Sequence, residues 1–280
     1  MSSVPSSNAR SQFAEMVSRE DAEINLAEAA LLIAAEEYPR LDIELYLARL
    51  DHFADLARQR AAASRDPFDV ITAMKGTLFE ELGFRGNREN YYDPRNSYLN
   101  EVIDRRTGIP ITLTVVYIEV SKRIGFQVKG VGLPFHFIAK HEMEGGDLFI
   151  DPFNAGRLLD SAGCDALITK MSDGKLELRI EHLEAVTNKQ ILTRMLSNLL
   201  GVYSSSDRRR ALAAIDRILL INPASVSHIR DRGLLLAAVG DRTAAILELE
   251  RYLALAADAT DVDTIREQIR SIRRSHARLN

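Results

Sequence analysis

A chain of 280 residues is long enough for one large domain or two modest ones, and 46% apolar with 27% charged residues is an ordinary globular composition. The net charge of −4 gives no field to gather nucleic acid or anionic membrane, and a single cysteine, Cys164, excludes an internal disulfide or a thiolate metal cluster. No run is long enough to span a bilayer and "MSSVPSSNARSQ" lacks the apolar core of a signal peptide, so a reducing cytoplasm is the expected compartment.

The first dozen or so residues are Ser-rich and nearly free of large apolar side chains, which predicts a disordered tail over 1–20. From Asp21 the pattern turns helical. Ile24, Ala27, Leu31, Ala34 and Tyr38 repeat at helical spacing until Pro39. Ile43, Tyr46, Leu47, Leu50, Phe53 and Ala57 share one face of a second helix. A third has Asp66 to cap it, Pro67 at its first position, the stripe Val70, Met74, Leu78 and Leu82, and Gly83 to close it.

The segment "GFRGNRENYYDPRNSYLNEVIDRRTGIP" reads as an ordered loop with a short helix from Asn96 to about Arg105. In "PITLTVVYIEVSKRIG", Ile111, Thr112, Thr114, Val115 and Val116 argue for a strand. The stripe Leu113, Val116, Tyr117, Val120 and Ile124, with Pro110 before it and Gly125 after, argues for a buried helix and decides the reading. Two or three short strands follow as an antiparallel meander, at 126–132, 135–141 and 148–151, with Glu144-Gly145-Gly146-Asp147 as a hairpin turn. Reflection about that turn puts His136 and Asp151 within about two residues of direct register, in reach of each other.

Beyond about Glu181 the chain is helical and repetitive. Ala211 and Ala245, Ile215 and Leu249, and Pro223 and Ala257 each stand one tetratricopeptide period apart, and Gly233 and Gly240 match small positions of the second unit. Two units and a last helix make a short α-solenoid. The last helix carries Arg266, Arg270, Arg273, Arg274 and Arg278 with no interleaved aromatics, which favours a solvated capping face over nucleic-acid binding.

An imidazole oriented by a carboxylate is two members of a nucleophilic triad whose thiol would sit at a helix N-terminus. The stretch "GIPITLTVVYIEVSKRIGFQVKGV", with "FHFIAK" and "LFIDPF", resembles the core of the transglutaminase-like, papain-type superfamily. "FEELGFRGNRENYYDPRNSYLNEVIDRRTGIPITL", "VGLPFHFIAK", "LFIDPFNAG" and "ILTRMLSNLLGVY" resemble more closely the bacterial SirB-type family, in which that core is fused to tetratricopeptide repeats. The resemblance implies a cysteine near Pro110 or Ile111, where this chain has no nucleophile. Thr112 is the nearest hydroxyl, as substitute nucleophile or as helix-start partner, and Cys164 falls downstream of the strands, where a buried thiol is the simpler reading. His136, His141, Asp147 and Asp151 have metal-ligand chemistry, but His136 and His141 alternate faces on a regular strand. Asn87, Asn90, Asn96 and Asn100 build the polar loop or read a peptide, with Tyr91 and Tyr92 at a groove entrance, and Asp104, Arg105 and Arg106 stand beside the helix start.

The expected fold is α+β. A transglutaminase-like domain over 21–180, helical with a small antiparallel sheet on a core helix, precedes an α-helical tetratricopeptide solenoid over 181–280. The favoured function is a non-catalytic or regulatory protein, with a degenerate cleft and a protein or peptide partner bound through the repeats. The alternative is a hydrolase or acyl-transferase for amide bonds, with His136 as base, Asp151 orienting it, and Thr112 or water attacking. Candidate binding residues are Asn96, Asn100 and Tyr92. No cofactor, metal, membrane or nucleic acid is expected.

Overall fold

The computed structural model describes residues 5–277. The chain divides into two compact units, Met1–Met195 and Leu196–Asn280, so the boundary lies beyond the expected 180/181. The tail expectation is corrected as well. Residues 1–4 lie outside the described residues, but Pro5–Ser18 forms helix α1. Ala9, Phe13, Met16 and Val17 lie on one face of it and are buried, with α1 packed on the next helix. Four apolar residues at helical spacing are enough to dock a segment whose other residues are mostly polar.

The predicted first helix resolves into a short 3₁₀ turn, Asp21–Glu23, and α2, Leu26–Ala35, capped by Asn25 accepting from the Glu28 amide. Every α2 residue from Leu26 to Ala34 except Glu28 is buried, so α2 runs through the core of the first unit. Helix α3 (Ile43–Arg60) starts under the Asp42 cap, and α4 (Pro67–Lys75) starts under Asp66 with Pro67 in its first turn. A π-helical stretch, Gly76–Glu81, extends α4 to Gly83, which closes it at φ +74° as the sequence anticipates.

Strands β1 (Arg85–Gly86) and β2 (Thr107–Gly108) pair in parallel and bracket the polar loop, which holds a 3₁₀ turn, Pro94–Asn96, and α5, Leu99–Arg105. Helix α6, Pro110–Arg123, settles the helix-or-strand question. It is buried on all sides from Pro110 to Ser121, so tertiary packing outweighs its β-branched side chains, and Gly125 ends it at φ +81°.

The sheet has five antiparallel strands in the order β6-β5-β4-β3-β7, not two or three. The expected meander supplies β3 (Lys129–Val131), β4 (Ile138–His141) and β5 (Leu148–Asp151). Edge strands β6 (Arg157–Leu159) and β7 (Ala185–Val186) are too short to show an alternation in sequence. Helix α7, Ser161–Met171, is capped by Asp160 and packs beside β6, where Cys164 and Ile168 join Val131, Leu133, Ile138 and Phe149 in one apolar cluster. Helix α8, Asn188–Tyr203, begins in the first unit and ends in the second.

The second unit continues with α9 (Arg208–Ile221), α10 (Val226–Val239), α11 (Arg242–Leu255) and α12 (Val262–Ala277). Of the three pairs at the 34-residue spacing, Ala211 with Ala245 and Ile215 with Leu249 are buried, whereas Pro223 and Ala257 are exposed. A Cβ at Gly233 would stand 2.7 Å from Leu249 Cδ2, so α10 and α11 approach closely because that side chain is absent. Val262, Ile265 and Ile269 form the inner face of α12, and its arginines pair with carboxylates: Arg266 with Asp263, Arg270 and Arg274 with Glu267, and Arg273 with Glu250. Arg278 lies outside the described residues.

Candidate functional site

The β4–β5 hairpin pairs Ala139 with Ile150 and His141 with Leu148, and on that register His136 and Asp151 are diagonal neighbours. His136 sits in the turn that leads into β4, its amide donating to the Leu133 carbonyl, and Asp151 ends β5. His136 Nε2 lies 2.9 Å from Asp151 Oδ2, with the two side chains 3% and 1% exposed. The approach is at hydrogen-bond distance but off the line of the ring N–H, so it is an electrostatic contact rather than a well-aligned bond.

Asp151 also caps the turn Pro152–Asn154. It accepts from the Asn154 amide at 3.2 Å and from Asn154 Nδ2 at 2.6 Å. Burial alone would raise the carboxyl's pKa. The His136 imidazole and the two Asn154 donors outweigh burial and hold it below the usual carboxylate value. A buried, ionised carboxylate beside an imidazole is the residue pair that a nucleophilic triad also uses.

The start of α6 carries no thiol. Helix α6 docks on the His136 strand, with Thr114 Oγ1 donating to the Phe137 carbonyl at 3.2 Å. At its start stand Ile109, Pro110 and Ile111, all buried. Thr112 is fully buried and its hydroxyl is already engaged. It donates to the Asn96 carbonyl at 2.7 Å and accepts from the Ile109 amide at 3.2 Å, closing the first turn of α6. The geometry therefore argues against Thr112 as nucleophile. Cys164 lies in the apolar cluster beside β6, where burial, with the Asp160 and Asp151 charges, pushes its thiol up to about 12.

Access to the pair is also covered. Phe153 meets the His136 ring edge-on at 5.9 Å, Tyr91 packs on Phe153 at 6.3 Å, and Tyr92 on Tyr91 at 5.4 Å. Outside this stack Tyr92 is 78% exposed, and Phe135, next to His136, is 61% exposed with a left-handed backbone at φ +61°. His141 and Asp147 do not join the pair. His141 Nδ1 contacts the Gln127 carbonyl at 2.8 Å and its ring stacks on Phe126, while Asp147 pairs with Lys140 at 3.2 Å.

The loop asparagines divide. Asn96 is a hub: its Nδ2 donates to the Asn90 and Tyr91 carbonyls and its Oδ1 accepts from Asn87. Asn100 is buried, and its Oδ1 has no hydrogen-bond partner. Beside them, Asp104 accepts from Tyr46 and Arg49, Arg105 pairs with Asp93, and Arg106 lies over the Phe53 and Phe84 rings.

Three supporting residues escaped the sequence reading. Arg194, in α8, donates to the Leu133 and His136 carbonyls at 3.1 and 2.8 Å and lies over the Phe137 ring, clamping the turn that carries His136. Burial lowers its pKa, and no carboxylate pairs with it among the described residues. Arg88 lies over Phe153 and donates to Asn154 Oδ1. Asn154 was legible as the third residue after a capping aspartate. Arg194 gave no local signal, because its partners are backbone carbonyls about sixty residues away in sequence.

Family comparison agrees with this architecture. The model of the transglutaminase-like superfamily matches residues 44–197, and a tetratricopeptide-repeat model matches 201–270. A UPF0162 protein of Xylella fastidiosa is 38% identical over 252 residues, covering 88% of this chain and 89% of the relative. The chain belongs to the UPF0162 family. A more distant UPF0162 member, from Vibrio cholerae, is 26% identical over 254 residues, covering 89% of this chain and 93% of its own. Human F-box only protein 21 is 33% identical over 141 residues, which cover 48% of this chain and 22% of that protein. No solved structure matches. The expected fusion of a transglutaminase-like core to tetratricopeptide repeats is thus present in this UPF0162 chain, and no helix among its described residues is long and apolar enough to cross a membrane.

Proposed function

We propose that this protein is a non-catalytic, regulatory binding protein of the cytoplasm, in which the transglutaminase-like site is a retained structural lock and the repeats engage a protein or peptide partner. The two domain types support an interaction role. The observation that carries the non-catalytic half is the start of α6. Buried Ile109-Pro110-Ile111 stands where a thiol is needed, and the nearest hydroxyl, Thr112, is committed to the Asn96 carbonyl. His136 and Asp151 then serve to fasten the hairpin, and Tyr92 offers an exposed contact outside it.

The test pairs the intact protein with its His136→Ala variant on glutamine-donor peptides with a primary amine, and on simple amides, esters and thioesters. Equal background turnover in both is expected. Turnover that vanishes in a His136→Ala protein shown to be folded at the assay temperature overturns the reading in favour of a hydrolase or acyl-transferase, the reading supported by the ionised Asp151 beside the imidazole. For the binding half, cross-links from a captured partner should concentrate on residues 196–280. Cross-links confined to the first unit would reject it.

A further inference from the structure

Away from the His136 pair, a groove of about 570 Å³ opens between the start of α3 and α5. Asn100 lines it, and it has two properties that rarely coincide. It is only 4% exposed, and its buried side-chain oxygen has no hydrogen-bond partner within the protein. A buried amide gives up water on folding, and natural structures almost always supply a partner. A half-turn of the terminal amide exchanges its carbonyl and NH₂ ends, so either can be presented to the groove.

The lining defines what could complete that amide. Tyr38, Leu45 and Tyr46 supply apolar wall, and Leu45 is half exposed. Charge on the groove is mostly negative. Glu37, Asp42, Glu101 and Asp104 face a single basic residue, Arg40. Asp104 is occupied by Tyr46 and Arg49, whereas Glu101 has no ion-pair partner among the described residues. An apolar wall, an unspent amide acceptor and an unpaired carboxylate together suit a cationic head rich in N–H donors on an aliphatic stem.

We infer that this groove is a binding site for an alkyl guanidinium or ammonium group, with the Asn100 carbonyl and the Glu101 carboxylate receiving its N–H donors. The group comes from a free organic amine or from an arginine or lysine side chain. The site is distinct from the His136 pair and does not depend on the repeats.

The full chain is titrated calorimetrically with agmatine, with acetyl-Ala-Arg-Ala-amide, and with the citrulline analogue of that peptide, which has the same shape without the charge. Saturable binding of at least one cationic probe is expected, about tenfold or more tighter than the citrulline peptide. Binding of agmatine alone assigns a small-molecule amine, and binding of the arginine peptide alone assigns a protein side chain. Asn100→Leu should weaken binding about tenfold while leaving the melting temperature within about 5 °C, because Oδ1 has no internal hydrogen bond to lose. Glu101→Gln, which leaves the fold untouched, should weaken it comparably. No saturable binding up to about 10 mM, equal binding of the citrulline peptide, or affinity unchanged in both variants overturns the assignment.

Discussion

Asp151 keeps its charge in a buried setting because two donors on Asn154 and the close contact with the His136 imidazole replace the water it lost. Its pKa is lower folded than unfolded, so its stabilising contribution is complete above the ordinary carboxylate range and is lost as pH falls through the folded value. Urea midpoints measured from pH 7 to pH 3 should therefore fall more steeply for the wild type than for Asp151→Asn. At pH 7, His136→Ala should cost about 3–5 kcal/mol, the usual penalty for stripping the partner from a buried charge. Thr112→Val, nearly isosteric, should cost about 1–3 kcal/mol by orphaning the Asn96 carbonyl and uncapping α6, while Thr112→Ser should recover most of it. A Thr112→Ser gain in reactivity toward electrophiles would contradict a purely structural role for this hydroxyl. At this scale the sequence showed His136 and Asp151 because a hairpin turn converts sequence distance into spatial distance by simple reflection. It did not show that Thr112 was spent, because the Asn96 carbonyl arrives from a loop whose path is fixed only by tertiary contacts.

Among elements, close approach separates two glycines that look alike in sequence. Gly233 faces Leu249 across the α10–α11 contact, so Gly233→Ala should destabilise the second unit by about 1–2 kcal/mol despite the better helix propensity of alanine. Gly201 in α8 has nothing within 4 Å of its missing Cβ, and Gly201→Ala should stabilise by about 0.5 kcal/mol. Denaturant melts of both variants under one condition check the pair, and equal shifts would refute the helix-contact argument. Periodicity exposed the long helices and the choice of helix for α6, where an apolar stripe and its end signals outvoted β-branched residues. It missed α1, because four apolar residues are diluted by serines. It also missed β6 and β7, because strands of three and two residues are defined by the neighbours they pair with, not by their own pattern.

For the whole molecule, the balance of charge argues against a polyanion partner. The net charge is −4, and each of the four described arginines of α12 that the sequence singled out stands beside a carboxylate. Binding to duplex DNA should be absent at physiological salt, weaker than the roughly 10⁻⁴–10⁻⁶ M of ordinary non-specific binders. A mobility shift that weakens steeply with added salt would refute this.

The Arg194 clamp bears on how this architecture can be divided. The guanidinium that holds the His136 turn comes from α8, after the last strand and well past residue 180. A fragment ending at 180 keeps His136 and Asp151 but leaves the Leu133 and His136 carbonyls without their donor and β3 without its edge neighbour β7. Such a fragment should be soluble only with difficulty, whereas one ending near 203 retains both supports. The inheritable module is therefore longer than the segment that carries the chemistry, and a gene fusion or truncation respecting only the triad-like residues would separate the lock from its bolt.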